Sequence, residues 1–127
     1  MSTQNFTMFD TDLEAKDAQL RAFQDANAEF AVHAMILKHS PANIENLAAY
    51  IRSAKKLIDI CLRDEDRLLA INLRLWVRRN LVLNHGRGSA NKRFQTMCEK
   101  ELTLIDRHLV KVFKPFGRNI VPLLRKV

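Results

Sequence analysis

Apolar residues recur along this chain at intervals of three, four and seven, the period of an amphipathic helix, and they do so in four blocks. The first block runs from about Thr11 to Lys38, with Leu13, Leu20, Phe23, Phe30, Ala34 and Leu37 on one seam. Thr11 and Glu14 have the spacing of a capping box, which predicts a helix start there and leaves residues 1–10 as a flexible N-terminus. Asn27 falls on the apolar seam and interrupts it; a polar residue in that place either fixes the register of packed helices or loosens the packing locally. Ser40-Pro41 marks a boundary, with Ser40 as cap and Pro41 in the first position of the next helix. The second block carries Ile44, Leu47, Ala48, Ile51, Ala54, Ile58, Cys61 and Leu62 on one face and is expected to end near Arg63. Asp64, Glu65 and Asp66 follow, supplying a cap and negative charge for a third helix.

The third block, about Glu65 to Leu83, is apolar over most of its circumference. Leu68, Leu69, Ile71, Leu73, Leu75, Trp76, Val77, Leu81, Val82 and Leu83 leave only a narrow polar strip. A helix of that kind is buried by its neighbours or by a second subunit. The stretch from Asn84 to Ser89 reads as a loop, with Ser89 capping a fourth helix from about Ala90 to Phe113. That helix directs Phe94, Met97, Cys98, Leu102, Ile105, Leu109 and Val112 inward, and Lys114-Pro115-Phe116-Gly117 stops it. Residues 115–127 form a short, apolar and basic tail. Four helices with short connections predict an all-α, antiparallel bundle in which residues 1–127 form one domain. The first helix outruns the others, so a homo-oligomer, a dimer in the simplest case, is expected.

Composition agrees with this picture. The chain has 127 residues, of which 47% are hydrophobic and 28% charged, and only three glycines and three prolines, too few for a turn-rich β fold. No uninterrupted apolar run reaches the ~18 residues of a membrane span, and the polar, acidic start is unlike a signal peptide. Cys61 and Cys98 are expected as reduced, packed thiols, in keeping with a soluble cytoplasmic protein.

Charge changes the picture more. The net charge is +7, distributed as −4 over residues 1–31, +1 over 32–70 and +10 over 71–127. On the fourth helix Arg93, Lys100, Arg107 and Lys114 are spaced by seven, with Lys111 between the last two, so they form one stripe opposite the apolar face. Arg67, Arg74 and Arg78 make a shorter stripe on the third helix, and Arg79, Arg87 and Lys92 surround the loop. Several cations on one rigid surface are what a phosphate backbone requires, each contact releasing a counterion. The candidate contacts are therefore Arg74, Arg78, Arg79, Arg87, Lys92, Arg93, Lys100, Arg107, Lys111 and Lys114. The expected function is non-enzymatic binding of nucleic acid or another polyanion, in a regulatory or assembly role. No helix-turn-helix pattern or aromatic-rich strand is present, so recognition would be directed at shape or backbone.

The segment Arg79-Asn80-Leu81-Val82-Leu83-Asn84-His85 resembles the arginine-polar-spacer-histidine signature of HEPN-type ribonucleases, which are small all-α proteins acting as dimers. The resemblance implies metal-independent cleavage of RNA. His85 would transfer a proton, Arg79 would stabilise phosphate charge, and Asn80 would orient one of them. Gly86-Arg87 stands where the best-known branches of that family carry an aromatic residue.

Other chemistry has less support. Gly86-Arg87-Gly88-Ser89 ahead of a helix resembles an anion nest without the spacing of a nucleotide loop, so a helix cap is the expected role. His33, His39 and His108 have no ligand spacing with Cys61 or Cys98, and Glu29-His33 is one residue too wide for a di-metal carboxylate bundle. Neither a metal nor a cofactor is expected. The acidic first helix and the long apolar seam also fit an adaptor or regulator that works through a partner protein.

Overall fold

The computed structural model describes residues 3–40, 42–87 and 91–114, with side chains described from residue 11 onward. These residues form four helices: α1 (Thr3–His39), α2 (Ile44–Arg63), α3 (Arg67–Arg87) and α4 (Lys92–Phe113). No strand occurs among the described residues. Short connections reverse the chain between successive helices, as the periodicity predicts for an antiparallel bundle.

The helix starts are set by Asx side chains. Asn43 caps α2 by accepting from the Asn46 amide at 3.0 Å. Asp66 caps α3 by accepting from Leu69 at 3.1 Å, and Asn91 caps α4 by accepting from Phe94 at 3.1 Å. Each satisfies one of the amides that the first turn leaves without a partner. Ser40 therefore does not cap α2; Pro41 and Ser89 lie outside the described residues. Thr11 is inside α1, which is helical from Thr3, so the Thr11–Glu14 pair is not a capping box, and of the residues expected as a flexible terminus 3–10 are the first turns of a helix. α3 continues four residues past its expected end. Asn84 bonds back to the Asn80 carbonyl at 2.7 Å, and Gly86 and Arg87 remain helical.

The core lies around α2, which packs against α1, α3 and α4. Leu47, Tyr50, Ile51, Ala54, Leu57 and Ile60 meet Ala26, Phe30 and Leu37 of α1, Val77 and Leu81 of α3, and Phe94, Cys98, Ile105 and Leu109 of α4. Contact on three sides widens the buried arc of α2 beyond the single face that its period marks, so Tyr50, Leu57 and Ile60 join the core. A smaller cluster of Ile58, Cys61 and Ala70 closes the α2–α3 end.

α1 is the exception to compactness. Its 37 residues extend about 55 Å, against about 30 Å for α2. Every described residue from Thr11 to Arg21 is exposed, and burial begins only at Ala22 and Phe23. The stretch from Thr11 to Arg21 therefore stands clear of the bundle, held locally by exposed i,i+4 pairs, Asp12 with Lys16 and Asp17 with Arg21. Pairs of this kind stabilise a helix by only about 0.2–0.5 kcal/mol each. Among the described residues no helix is long and apolar enough to cross a membrane.

Candidate nucleic-acid interface

On α4 the burial pattern separates charge by sign. Phe94, Cys98, Ile105 and Leu109 face the core. The three acids of the helix flank that face, and each reaches a base on another helix. Glu99 meets His85 of α3 at 2.9 Å, Asp106 meets Arg78 of α3 at 2.6 Å, and Glu101 meets Lys55 of α2 at 3.0 Å. Arg93, Lys100, Arg107, Lys111 and Lys114 all lie exposed on the opposite side, and among the described residues none has an ion-pair partner. Glu101 and Asp106 are engaged in holding α4 to the bundle and Glu99, still exposed, leans toward His85, so a cationic stripe about 32 Å long faces solvent. Lys92 is exposed at one edge of it.

The cations of α3 are distributed differently. Arg78 is only 7% exposed, and its Nε donates to Asp106 Oδ1. Its sequence spacing from Arg74 set it in a solvent-facing stripe; in the fold that side of α3 faces α4, so Arg78 is a packing residue and not a phosphate contact. Arg87 donates from Nη1 to the Leu37 carbonyl at 3.1 Å and to Asn84 Oδ1 at 3.2 Å, and from Nη2 to the Ser40 carbonyl at 2.8 Å. It thereby satisfies carbonyls at the C-terminal end of α1, where a cation also complements the helix dipole. This engagement holds the Arg87 guanidinium at the end of α1, away from the α4 stripe, with its charge retained and its side chain still exposed.

Arg74 is half-buried and lines, with His108, a cavity of about 260 Å³ between α2, α3 and α4. Partial burial, and then the positive charges of Arg74 and Lys111, hold the His108 imidazole below its ordinary range. Arg74 is thus an α3 cation whose field joins that of α4.

Arg79 and Asn80 occupy another side of α3. Both line a groove of about 740 Å³ between α1 and α3. Asn80 Nδ2 donates to the Tyr50 hydroxyl at 2.8 Å, which gives Asn80 a structural partner. His85 faces α4, with Nε2 against Glu99 Oε1. The chain thus brings Arg79 and Asn80 together but places His85 across the helix from them. Among the described residues no three His, Cys, Asp or Glu side chains gather as a metal-ligand set, and Glu29 pairs with Lys56 at 3.2 Å.

Sequence reasoning missed the groove itself. Trp76 and Leu83 on α3, and Met35 on α1, are 52%, 59% and 64% exposed along it. The signal was present in the apolar circumference of α3, which four helices of this length do not cover.

Both cysteines are buried and unpaired with each other. Burial and the neighbouring Glu99 push the Cys98 thiol up to about 11; burial, then Asp66 and Asp64, push Cys61 up as well. Burial and these shifts both disfavour the thiolate, which is the reactive form. At pH 8 a disulfide-exchange chromophore is therefore expected to react with neither in the folded protein and with both in denaturant. Rapid labelling of one thiol in native buffer would show that its helix interface opens. No protein-family model, curated protein or solved structure matches this chain.

Proposed function

We propose that this protein binds nucleic acid, without catalysing a reaction on it, through the exposed cationic face of α4, and that it acts by contacting the phosphate backbone. One observation carries the reading: Arg93, Lys100, Arg107, Lys111 and Lys114 face solvent on one side of a rigid helix, while Glu101 and Asp106 are partly buried against bases of α2 and α3 and the exposed Glu99 leans toward His85 of α3. A face that served solubility alone would gain from mixed signs; this one concentrates a single sign, which attracts a polyanion and raises its rate of encounter. Arg74 and Lys92 extend the face at its margins. Arg78 does not contribute, because it is buried against Asp106, and Arg87 is held at the end of α1, off the α4 face.

The test is fluorescence anisotropy at low salt with labelled single-stranded RNA, duplex RNA and duplex DNA. Lys100→Glu with Arg107→Glu is expected to weaken binding at least about tenfold, since two phosphate contacts become two repulsions. Both residues are exposed, so the folded state and its helical circular dichroism remain. Undetectable binding of every probe by the wild-type chain, or equal affinity of the doubly reversed variant, would reject the reading.

A further inference from the structure

From the α1–α3 groove and the projecting half of α1 we infer that the groove receives the first half of α1 from a second copy of this chain, and that the two copies exchange these segments reciprocally about a two-fold axis.

The groove and the projection are two parts of one apolar strip. On α1, Leu13, Leu20, Asn27 and Ala34 are separated by seven residues and lie along one side of the helix. Asn27 and Ala34 line the groove, where Met35, Trp76 and Leu83 stand beside them. Leu13 and Leu20 continue the line onto the projection, where they are 50% and 53% exposed. Each copy therefore carries an uncovered groove and an uncovered helix stripe of matching period, and antiparallel pairing covers both at once. An isologous contact of this kind closes on itself and does not propagate.

Charge and the course of the groove together give the direction. The projection carries Asp12, Glu14 and Asp17 against Lys16 and Arg21, a net charge of −1, with Glu14 outside the two local ion pairs. The far end of the groove carries Lys38 and Arg87, and Arg79 lies along its wall. With Asn27 at the two-fold axis, Leu20 falls opposite Ala34 of the partner subunit, and the acidic segment runs toward the Lys38–Arg87 end. Parallel pairing would instead bring the acids of one copy against those of the other. Asn27, the polar interruption of the seam, then meets its own counterpart and sets the register, as a lone polar residue does in paired helices. The cationic face of α4 is not used, so this interface and the binding of nucleic acid are separable.

Sedimentation equilibrium of the full chain at about 50 µM, well above a micromolar Kd, is expected to give a dimer of about 29 kDa. Leu20→Glu and Leu83→Glu should each yield a monomer with unchanged helical circular dichroism, because both side chains are largely exposed within one chain. Under mild oxidation Asn27→Cys should cross-link to its own copy and Leu13→Cys should not; the buried native thiols do not interfere. Three results would overturn the inference. One is a monomeric wild-type chain, which would mean that something other than a second copy covers the groove. Another is a dimer that survives Leu20→Glu or Leu83→Glu. The third is self-linking of Leu13→Cys as readily as Asn27→Cys, the mark of a parallel pair.

Discussion

Replacing Tyr50 with alanine is expected to lower the free energy of unfolding by about 3–5 kcal/mol, the range for removing a large buried aromatic. Tyr50 is fully buried in α2, and it ties three helices together. Its ring stacks on Phe30 of α1, with centroids 5.3 Å apart and planes at 21°. Its hydroxyl accepts from Asn80 of α3, and Asn80 is followed one turn later by Asn84 and then by Arg87, the residue that holds the end of α1. Tyr50→Phe keeps the ring and removes the acceptor, leaving the Asn80 amide short of a partner; a loss of about 1–2 kcal/mol is expected there. Urea titration of the three proteins checks the order. Equal stability of wild type and Tyr50→Phe would show that the Asn80 bond adds nothing.

The same side chain makes the fold sensitive to alkali. Burial pushes the Tyr50 phenol up to about 12, and the hydrogen bond from Asn80, which favours the anion, offsets only part of that rise. The ordinary value is 10.0, so the folded state prefers the neutral phenol. That contribution is complete below pH 10 and is lost as pH climbs through 12, a loss of about 3 kcal/mol. Tyr50→Phe has no proton to release, so its stability should fall less steeply over this window. Parallel alkaline unfolding curves for the two proteins would contradict the assignment.

The helical architecture was legible because an apolar period of 3.6 is a local property, carried most clearly by α2 and α4, while the boundaries of α3 were marked by the polar residues around its apolar run. The caps were less so. Ser40 and Ser89 compete with Asn43 and Asn91 a few residues on, and either residue type can accept from a first-turn amide. Arg78 shows the deeper difficulty. Whether an arginine at the edge of an apolar face is solvated or buried depends on what the opposing helix offers, here Asp106, twenty-eight residues away. The α4 stripe was readable for the converse reason, since residues diametrically opposite a core face have nothing to meet. The α1–α3 groove was half legible. The excess apolar surface of α3 called for a further partner, but the sequence does not reveal that α1 leaves Trp76 and Leu83 uncovered while running far past the bundle.

Raising the salt from 50 to 200 mM is expected to weaken binding to duplex nucleic acid by about 10²–10³-fold if all five stripe cations meet phosphates, because each contact contributes about −0.9 to the slope of log K against log salt. The predicted slope is thus about −4.5. Reversing Lys100 and Arg107 leaves three contacts and should bring it near −2.7. Arg87→Gln separates a local stripe from mere net charge. It removes one formal positive charge, yet that charge already serves the carbonyls of Leu37 and Ser40, so the slope should not change even if stability falls. Two outcomes would count against the α4 face: a slope near −1 for the wild type, and a slope that drops equally for Arg87→Gln and for a single reversal at Lys100. The second would mean that the protein is held by its overall charge and not by the row of cations along α4.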